Sequence, residues 1–114
     1  METALIAAGI LAVLLVIPRL LGVRKMPAGI VKQKIDAGAL IIDVRTAEEF
    51  RDGAYPGARN IPISSLGAHL GELPKEKSVV LYCASGARSA AAARALKQAG
   101  FIDVVNAGGL ADMP

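Results

Sequence analysis

The sequence predicts an α/β domain on a parallel sheet flanked by helices, preceded by one N-terminal transmembrane helix. Three observations carry that prediction. Short β-branched runs, "ALIIDV" at 39–44 and "SVVLYC" at 78–83, alternate with helix-forming segments such as "SAAAARALKQA" at 89–99. Such alternation is the pattern of a parallel sheet covered on both faces. The stretch "ALIAAGILAVLLVI" at 4–17 contains no polar side chain, whereas the composition from Met26 onward is that of an ordinary globular domain. The apolar fraction of 54% exceeds the usual 45–50% or so because of that first stretch. A length of 114 residues therefore divides into a span over 3–23 and one domain over 26–114.

Residues 3–23 would extend about 31 Å as a helix, enough to cross a hydrocarbon core of about 30 Å. Residues 4–17 hold nine Leu, Ile or Val, each favouring insertion by about 0.3–0.6 kcal/mol. Arg19 lies near the end of the run, where a long side chain reaches the headgroups, and membrane helices tolerate a proline such as Pro18. A cleavable signal peptide normally opens with a positive n-region. Here Glu2 precedes the apolar run and the arginines follow it, which favours an anchor, although the alanines leave a cleavage site open. Arg19, Arg24, Lys25, Lys32 and Lys34 crowd the C-terminal flank, so the positive-inside tendency places the domain on the cytoplasmic side.

Within the domain, "AGIVKQKID" at 28–36 has helical apolar spacing closed by Gly38. "ALIIDV" forms the first buried strand. Thr46 and Glu49 then make the T-x-x-E capping box of a short helix through Phe50. Residues 52–62, "DGAYPGARNIP", are glycine and proline punctuation with a brief extended piece at Asn60-Ile61. Ser64 or Ser65 can cap a helix through Leu70. The second buried strand ends at Cys83, the helix over 89–99 stops at Gly100, and "FIDVVN" at 101–106 makes a further strand.

The charge narrows the function. Residues 26–114 carry ten Lys/Arg against nine Asp/Glu, so most of the formal +3 comes from the flank of the apolar run. With aromatics at 4%, the chain lacks the basic face and stacking residues of a nucleic-acid binder. A single cysteine excludes an internal disulfide. His69 stands near Leu66 and Leu70 with no cysteine or carboxylate pattern beside it, so no metal or other cofactor is expected.

That single cysteine ends a strand, and in parallel α/β sheets the carboxyl ends of strands are where sites form. Residues 84–88, "ASGAR", turn the chain into the next helix. Backbone N–H groups of a tight glycine-containing turn can point inward as an anion-binding nest. The following helix adds its N-terminal dipole, and Arg88 a cation with bidentate reach to an oxyanion. All three favour thiolate over thiol, and such settings lower a free cysteine from about 8.5 to about 3.5–7.5. Alone, Cys83 reads equally well as a small buried hydrophobe; the strand, Gly86, Arg88 and helix together favour a nucleophile.

The loop Cys83-Ala84-Ser85-Gly86-Ala87-Arg88-Ser89, C-x-x-G-x-R-S, resembles the active-site loop of the rhodanese-like family. "LIIDVRTAEEFRDG" at 40–53, "YPGARNIP" at 55–62 and "VVNAGGL" at 104–110 agree in the family's order, and the resemblance covers residues 28–111. It implies a sulfurtransferase in which Cys83 takes the outer sulfur of a small anionic donor such as thiosulfate. The persulfide then passes to cyanide, a thiol or a protein acceptor. The resemblance assigns the N–H groups of Ala84, Ser85, Gly86, Ala87 and Arg88 to the persulfide and the Arg88 side chain to the donor's oxyanion and the departing sulfite, with Asp43, Arg45 and Ser89 in support. Asp43 is expected to pair with an arginine as a structural brace. Relatives acting on phosphate or arsenate carry one more residue between cysteine and arginine; here four intervene, the sulfur-handling length. Two departures stand out: Gly53-Ala54-Tyr55 lacks the histidine often found there, and no tryptophan follows the Gly-Gly turn. The alternative from a different class is a non-catalytic, membrane-tethered adaptor.

Overall fold

The computed structural model describes residues 23–114. The span expected over 3–23 lies outside these residues except for Val23. Among the described residues no helix is long and apolar enough to cross a membrane.

The elements run α1 (Ala28–Asp36), β1 (Leu40–Asp43), α2 (Ala47–Arg51), β2 (Arg59–Asn60), a 3-10 turn (Ile63–Ser65), α3 (Leu66–His69), a second 3-10 turn (Leu70–Glu72), β3 (Val79–Cys83), α4 (Ala87–Gln98), β4 (Val104–Gly109) and a last 3-10 turn (Leu110–Asp112). The four strands form one parallel sheet in the order β2-β1-β3-β4. All five residues of β3 are buried, as a strand covered on both faces requires. Alternate residues define the two cores. Val80 and Tyr82 join Ile41, Val105 and, from α1, Val31 on one face. Leu81 and Cys83 join Ile42, Val44 and, from α4, Ala92, Ala93 and Leu96 on the other. Each Val, Leu or Ile so buried contributes about 1.5–3 kcal/mol.

Helix α4 buries Ser89, Ala92, Ala93 and Leu96, one face at the i, i+3, i+4, i+7 spacing. It begins at Ala87, two residues before the expected Ser89, because Gly86 turns the chain in the left-handed region (φ +106°). At its other end Gly100 N–H donates to Lys97 O and Phe101 N–H to Leu96 O, both at 3.1 Å. With Gly100 at φ +96° this is a Schellman stop, and Phe101 packs in the same core as Leu96. Phe101 belongs to that stop, so the strand expected over 101–106 starts only at Val104. It continues to Gly109 because its glycines pair with the end of β3: Cys83 stands opposite Gly109.

Between Leu81 and Tyr82 the β3–β4 register shifts. Leu81 faces Asn106 and Tyr82 faces Gly108, so Ala107 is the extra residue of a bulge beside the end of β3. The capping box over Thr46 forms as expected, Thr46 Oγ1 accepting from Glu49 N–H at 3.2 Å and Glu49 Oε1 from Thr46 N–H at 3.1 Å. Ser65 occupies the N-cap of α3, yet its hydroxyl donates back to Pro62 O at 3.1 Å.

Candidate active site

The thiol of Cys83 ends β3 on the α4 face of the sheet and is 1% exposed. The turn Ala84–Gly86 carries the chain over it. Gly86 N–H donates to Sγ at 2.9 Å, and the Ser89 hydroxyl lies 3.4 Å from Sγ. Burial pushes this thiol up, but the Ser89 hydroxyl and the backbone N–H groups of Ser89, Gly86 and Ser85 outweigh it, so the group titrates below its ordinary value. The predicted nest is thus made by Ser85 and Gly86, with Ser89 adding a backbone and a hydroxyl donor from the first turn of α4. Ala84 and Ala87 shape the cradle: Ala84 lies with its carbonyl against Gly109, and Ala87 opens the helix. Only glycine suits position 86, where φ is positive and a Cβ would lie 3.3 Å from Gly108 Cα.

Arg88, the second residue of α4, is half-buried and bidentate to Glu49, Nη1 to Oε1 at 2.7 Å and Nη2 to Oε2 at 3.0 Å. Arg88, followed by the N–H of Thr46, holds the Glu49 carboxyl down to about 2. The guanidinium is stabilised in its charged form first by Glu49 and further by the nearby sulfur. Because the pair uses the two terminal nitrogens, the Nε edge of Arg88 remains for an oxyanion. The cation at the mouth is therefore a fixed one, held by a carboxylate that is itself fixed by the capping box. Glu49 was legible in the sequence only as a helix cap; nothing in the spacing of positions 49 and 88 announced their contact.

Asp43 and Arg45 form the expected brace with each other. Asp43 accepts from Arg45 N–H at 2.8 Å and from Nη2 at 2.7 Å, and both groups are buried. Arg45 Nη2 also donates to Gly53 O at 2.7 Å, and its guanidinium lies 5.6 Å from the Tyr82 ring centroid. This cluster is on the Tyr82 face of the sheet, opposite the thiol. Where the two departures fall, Tyr55 N–H donates to Tyr82 Oη at 2.9 Å and Tyr55 Oη to Pro114 O at 3.0 Å, while Met113 packs on the same core. His69 Nδ1 lies 2.9 Å from Ser65 O within its own short helix.

Asn106 is a site residue that sequence reasoning missed. It is buried on β4 just before the bulge. Its Oδ1 accepts from Gly108 N–H at 2.9 Å and from the Ser89 hydroxyl at 2.7 Å, and its Nδ2 donates to Val23 O at 2.9 Å and Gly86 O at 3.4 Å. The signal available was an amide within the otherwise buried run "VVNAGG", since a buried amide must find partners.

The fold and the site together define a class: a parallel α/β domain whose one thiol is cupped, at the carboxyl edge of the sheet, by a strand-to-helix loop that turns hydrogen-bond donors on the sulfur. The family model of the rhodanese-like domain matches residues 27–112, and the chain belongs to that family. Over 67 residues it is 40% identical to a sulfurtransferase of Allochromatium vinosum, covering 59% of this chain and 63% of that protein. It is 43% identical over 68 residues to the YqhL protein of Bacillus subtilis, covering 60% of this chain and 54% of that one. The chain thus spans less than two thirds of the length of these two relatives. The thiosulfate sulfurtransferase PspE of Escherichia coli is 35% identical over 74 residues, covering 63% of this chain and 71% of PspE. Among solved structures, a rhodanese-like domain protein from Staphylococcus aureus superposes with a TM-score of 0.69 at 32% identity, covering 80% of this chain and 91% of its own. The human single-domain sulfurtransferase TSTD1 gives 0.69 at 26% identity, covering 77% and 91%.

Proposed function

We propose that the domain is a sulfurtransferase that carries sulfane sulfur as a persulfide on Cys83. The observation that carries this reading is the 2.9 Å bond from Gly86 N–H to Sγ inside a loop that lowers the thiol's pKa. The Cys83 thiolate attacks the outer sulfur of a donor such as thiosulfate. The Sγ–S bond forms, the donor's S–S bond breaks, and sulfite departs with the electron pair. The N–H groups of the loop hold the persulfide anion, and the Nε edge of Arg88 steadies the oxyanion before it leaves. A thiophilic acceptor, cyanide or a low-molecular-weight or protein thiol, then takes the outer sulfur and Sγ leaves as thiolate. A transfer group stored between two half-reactions makes the kinetics ping-pong. The four residues between Cys83 and Arg88 suit sulfur rather than a tetrahedral phosphate or arsenate.

Intact mass of the full chain before and after thiosulfate tests this reading beside Cys83→Ala. The expected result is a gain of one sulfur atom on the wild type, absent from the variant and discharged by cyanide. A folded, reduced wild type that gains nothing would favour a binding module, or a dedicated protein donor that thiosulfate cannot replace.

The domain is tethered by residues 3–23 and faces the cytoplasm, with the N-terminus on the outer side. The apolar run at 4–17 and the basic residues after it support this placement. Val23 N–H donates to Ala90 O at 3.3 Å and Val23 O accepts from Asn106, so the last residue of the proposed 3–23 segment is itself docked on the domain, and the membrane-crossing part would end before it. A cysteine engineered in place of Glu2 is expected to react with a membrane-impermeant thiol reagent in whole cells. Protection of that position in the inserted protein would reverse the orientation.

A further inference from the structure

The Ser89 hydroxyl has one proton and four acceptors within reach. Asn106 Oδ1 lies at 2.7 Å, Gly86 O at 3.1 Å, Gly108 O at 3.3 Å and Cys83 Sγ at 3.4 Å. Gly86 O already receives Ala90 N–H at 2.9 Å, so the closest acceptor, Asn106 Oδ1, holds the proton while the sulfur is uncharged. The amide is fixed in this orientation, because Gly108 N–H donates to the same oxygen and Nδ2 faces two carbonyls. That arrangement has a consequence for release. If the hydroxyl turns to the sulfur, Asn106 Oδ1 still has Gly108 N–H and Gly86 O still has Ala90 N–H, so neither of its two closest acceptors is left without a donor. A hydrogen bond to an ionised acceptor is about twice as strong as a neutral one, so negative charge on Sγ draws the proton across.

We propose that Ser89 acts on the reacting sulfur as a two-position hydroxyl, parked on Asn106 Oδ1 and turning to Cys83 Sγ when Sγ becomes a thiolate, with Asn106 as its positioning residue. The inference rests on the persulfide reading for its second half. In the discharge step a nucleophile such as cyanide attacks the outer sulfur. The carbon–sulfur bond forms, the S–Sγ bond breaks, and the electron pair goes to Sγ with no proton transferred. Sγ is then the leaving group, and the hydroxyl stabilises the charge arriving on it. In the persulfide the charge sits mainly on the outer sulfur, held by the loop N–H groups, and the hydroxyl returns to Asn106. Ser89 thus helps the enzyme empty its sulfur more than it helps the enzyme load it.

Among the described residues the charged groups around the thiol are few. Arg88 faces it from α4, with Glu49 of α2 behind the arginine. Lys25 and Asp112 are paired at 3.0 Å beyond Gly108. Asp43 and Arg45 close their own pair on the opposite face.

The test uses the full chain and two readouts. The first is the pH dependence of Cys83 alkylation by iodoacetamide, which requires no sulfur transfer. Ser89→Ala is expected to raise the midpoint by about one pH unit, equivalent to about tenfold less thiolate below it, as one charge-assisted bond is lost. The second is single-turnover discharge of the preloaded persulfide to cyanide, expected to slow about tenfold. Asn106→Asp, nearly isosteric, keeps an acceptor for Ser89 and Gly108 but turns an oxygen toward Val23 O and Gly86 O, where Nδ2 had donated; at alkaline pH, with that carboxyl ionised, it grips the hydroxyl more tightly. Its upward shift of the midpoint is expected to be larger in the wild-type background than beside Ser89→Ala. Wild-type titration and discharge in Ser89→Ala overturn the proposal, and equal Asn106→Asp shifts in both backgrounds overturn the positioning role. A wild type that loads no sulfur overturns the persulfide reading instead, and the alkylation profile still decides where the hydroxyl points.

Discussion

Gly109→Ala is expected to lower sulfur loading of Cys83 at least about a hundredfold while leaving a folded protein, because a loop displaced by about an ångström forfeits the geometry of the site. Gly109 has an ordinary extended backbone, φ −90°, so alanine meets no conformational objection there. The objection is contact. A Cβ at 109 would overlap the carbonyl oxygen of Ala84 and lie 3.0 Å from its carbon and 3.3 Å from Ser85 Cα. These are backbone atoms of the loop over the sulfur, so no side chain can swing aside. Either β4 gives way at its pairing with Cys83 or the loop lifts, carrying the Ser85 and Gly86 N–H groups off Sγ. Overpacking of this kind costs about 1–3 kcal/mol in stability. Gly29→Ala in α1 is the control, since a Cβ there meets nothing within 4 Å and alanine in a helix is favourable by about 0.5–1 kcal/mol. Intact mass after a fixed exposure to thiosulfate, with a urea melt on each variant, checks both. Loading at the wild-type rate in Gly109→Ala would show that the loop tolerates displacement and that the glycine is incidental to the site.

What the sequence displays and what it hides differ by the range of the interaction. The helix over 28–36, the strand centres at 40–43 and 79–83 and the Thr46–Glu49 box are set by neighbours within about one turn or one pleat, and each is where the pattern puts it. Cys83, Gly86 and the helix after them are consecutive, so the nest could be read as a unit. Two boundary errors are local, the start of α4 just after Gly86 and the helix stop that delays β4; the others are settled by distant partners. β4 runs past Asn106 to Gly109 because β3 needs a partner at Cys83, although glycines taken alone end a strand. The Glu49–Arg88 pair joins residues 39 positions apart, and it exists because α2 and the start of α4 lie along the same edge of the sheet. Neither charge is unusual in its own segment. Asn106 left a trace only in being polar where its neighbours are apolar. Its partners are Val23, the turn carrying Gly86 and Ser89, and its own neighbour Gly108; the first two are distant in sequence, and no periodicity brings them to it.

Asp43→Ala is expected to destabilise the domain by about 3–5 kcal/mol, because it strands a buried guanidinium. The Asp43 side chain is 0% exposed and that of Arg45 8%. Removing the carboxylate withdraws the acceptor of Arg45 N–H, Nε and Nη2 together and leaves Gly53 O as that side chain's remaining acceptor. Against a total stability of about 5–15 kcal/mol for a domain of this size, that is a large share. Its midpoint in urea should therefore fall well below that of the wild type. The double variant Asp43→Ala/Arg45→Met removes both charges and should recover much of the loss, since the cost comes from the uncompensated cation rather than from a missing attraction. Chemistry separates this brace from the site. Asp43 lies on the face of Tyr82, whose backbone the sheet interposes before the thiol on the other side. The folded fraction of Asp43→Ala should accordingly load sulfur at the wild-type rate below its unfolding transition. A loading rate that falls while the fold persists would instead place Asp43 in the reaction, and a loss in stability under about 1 kcal/mol would mean that Arg45 escapes to water as an exposed pair does. The two variants thus divide the motif's residues by what they hold: Gly109 keeps the loop over the sulfur, and Asp43 keeps the sheet edge on which that loop is built.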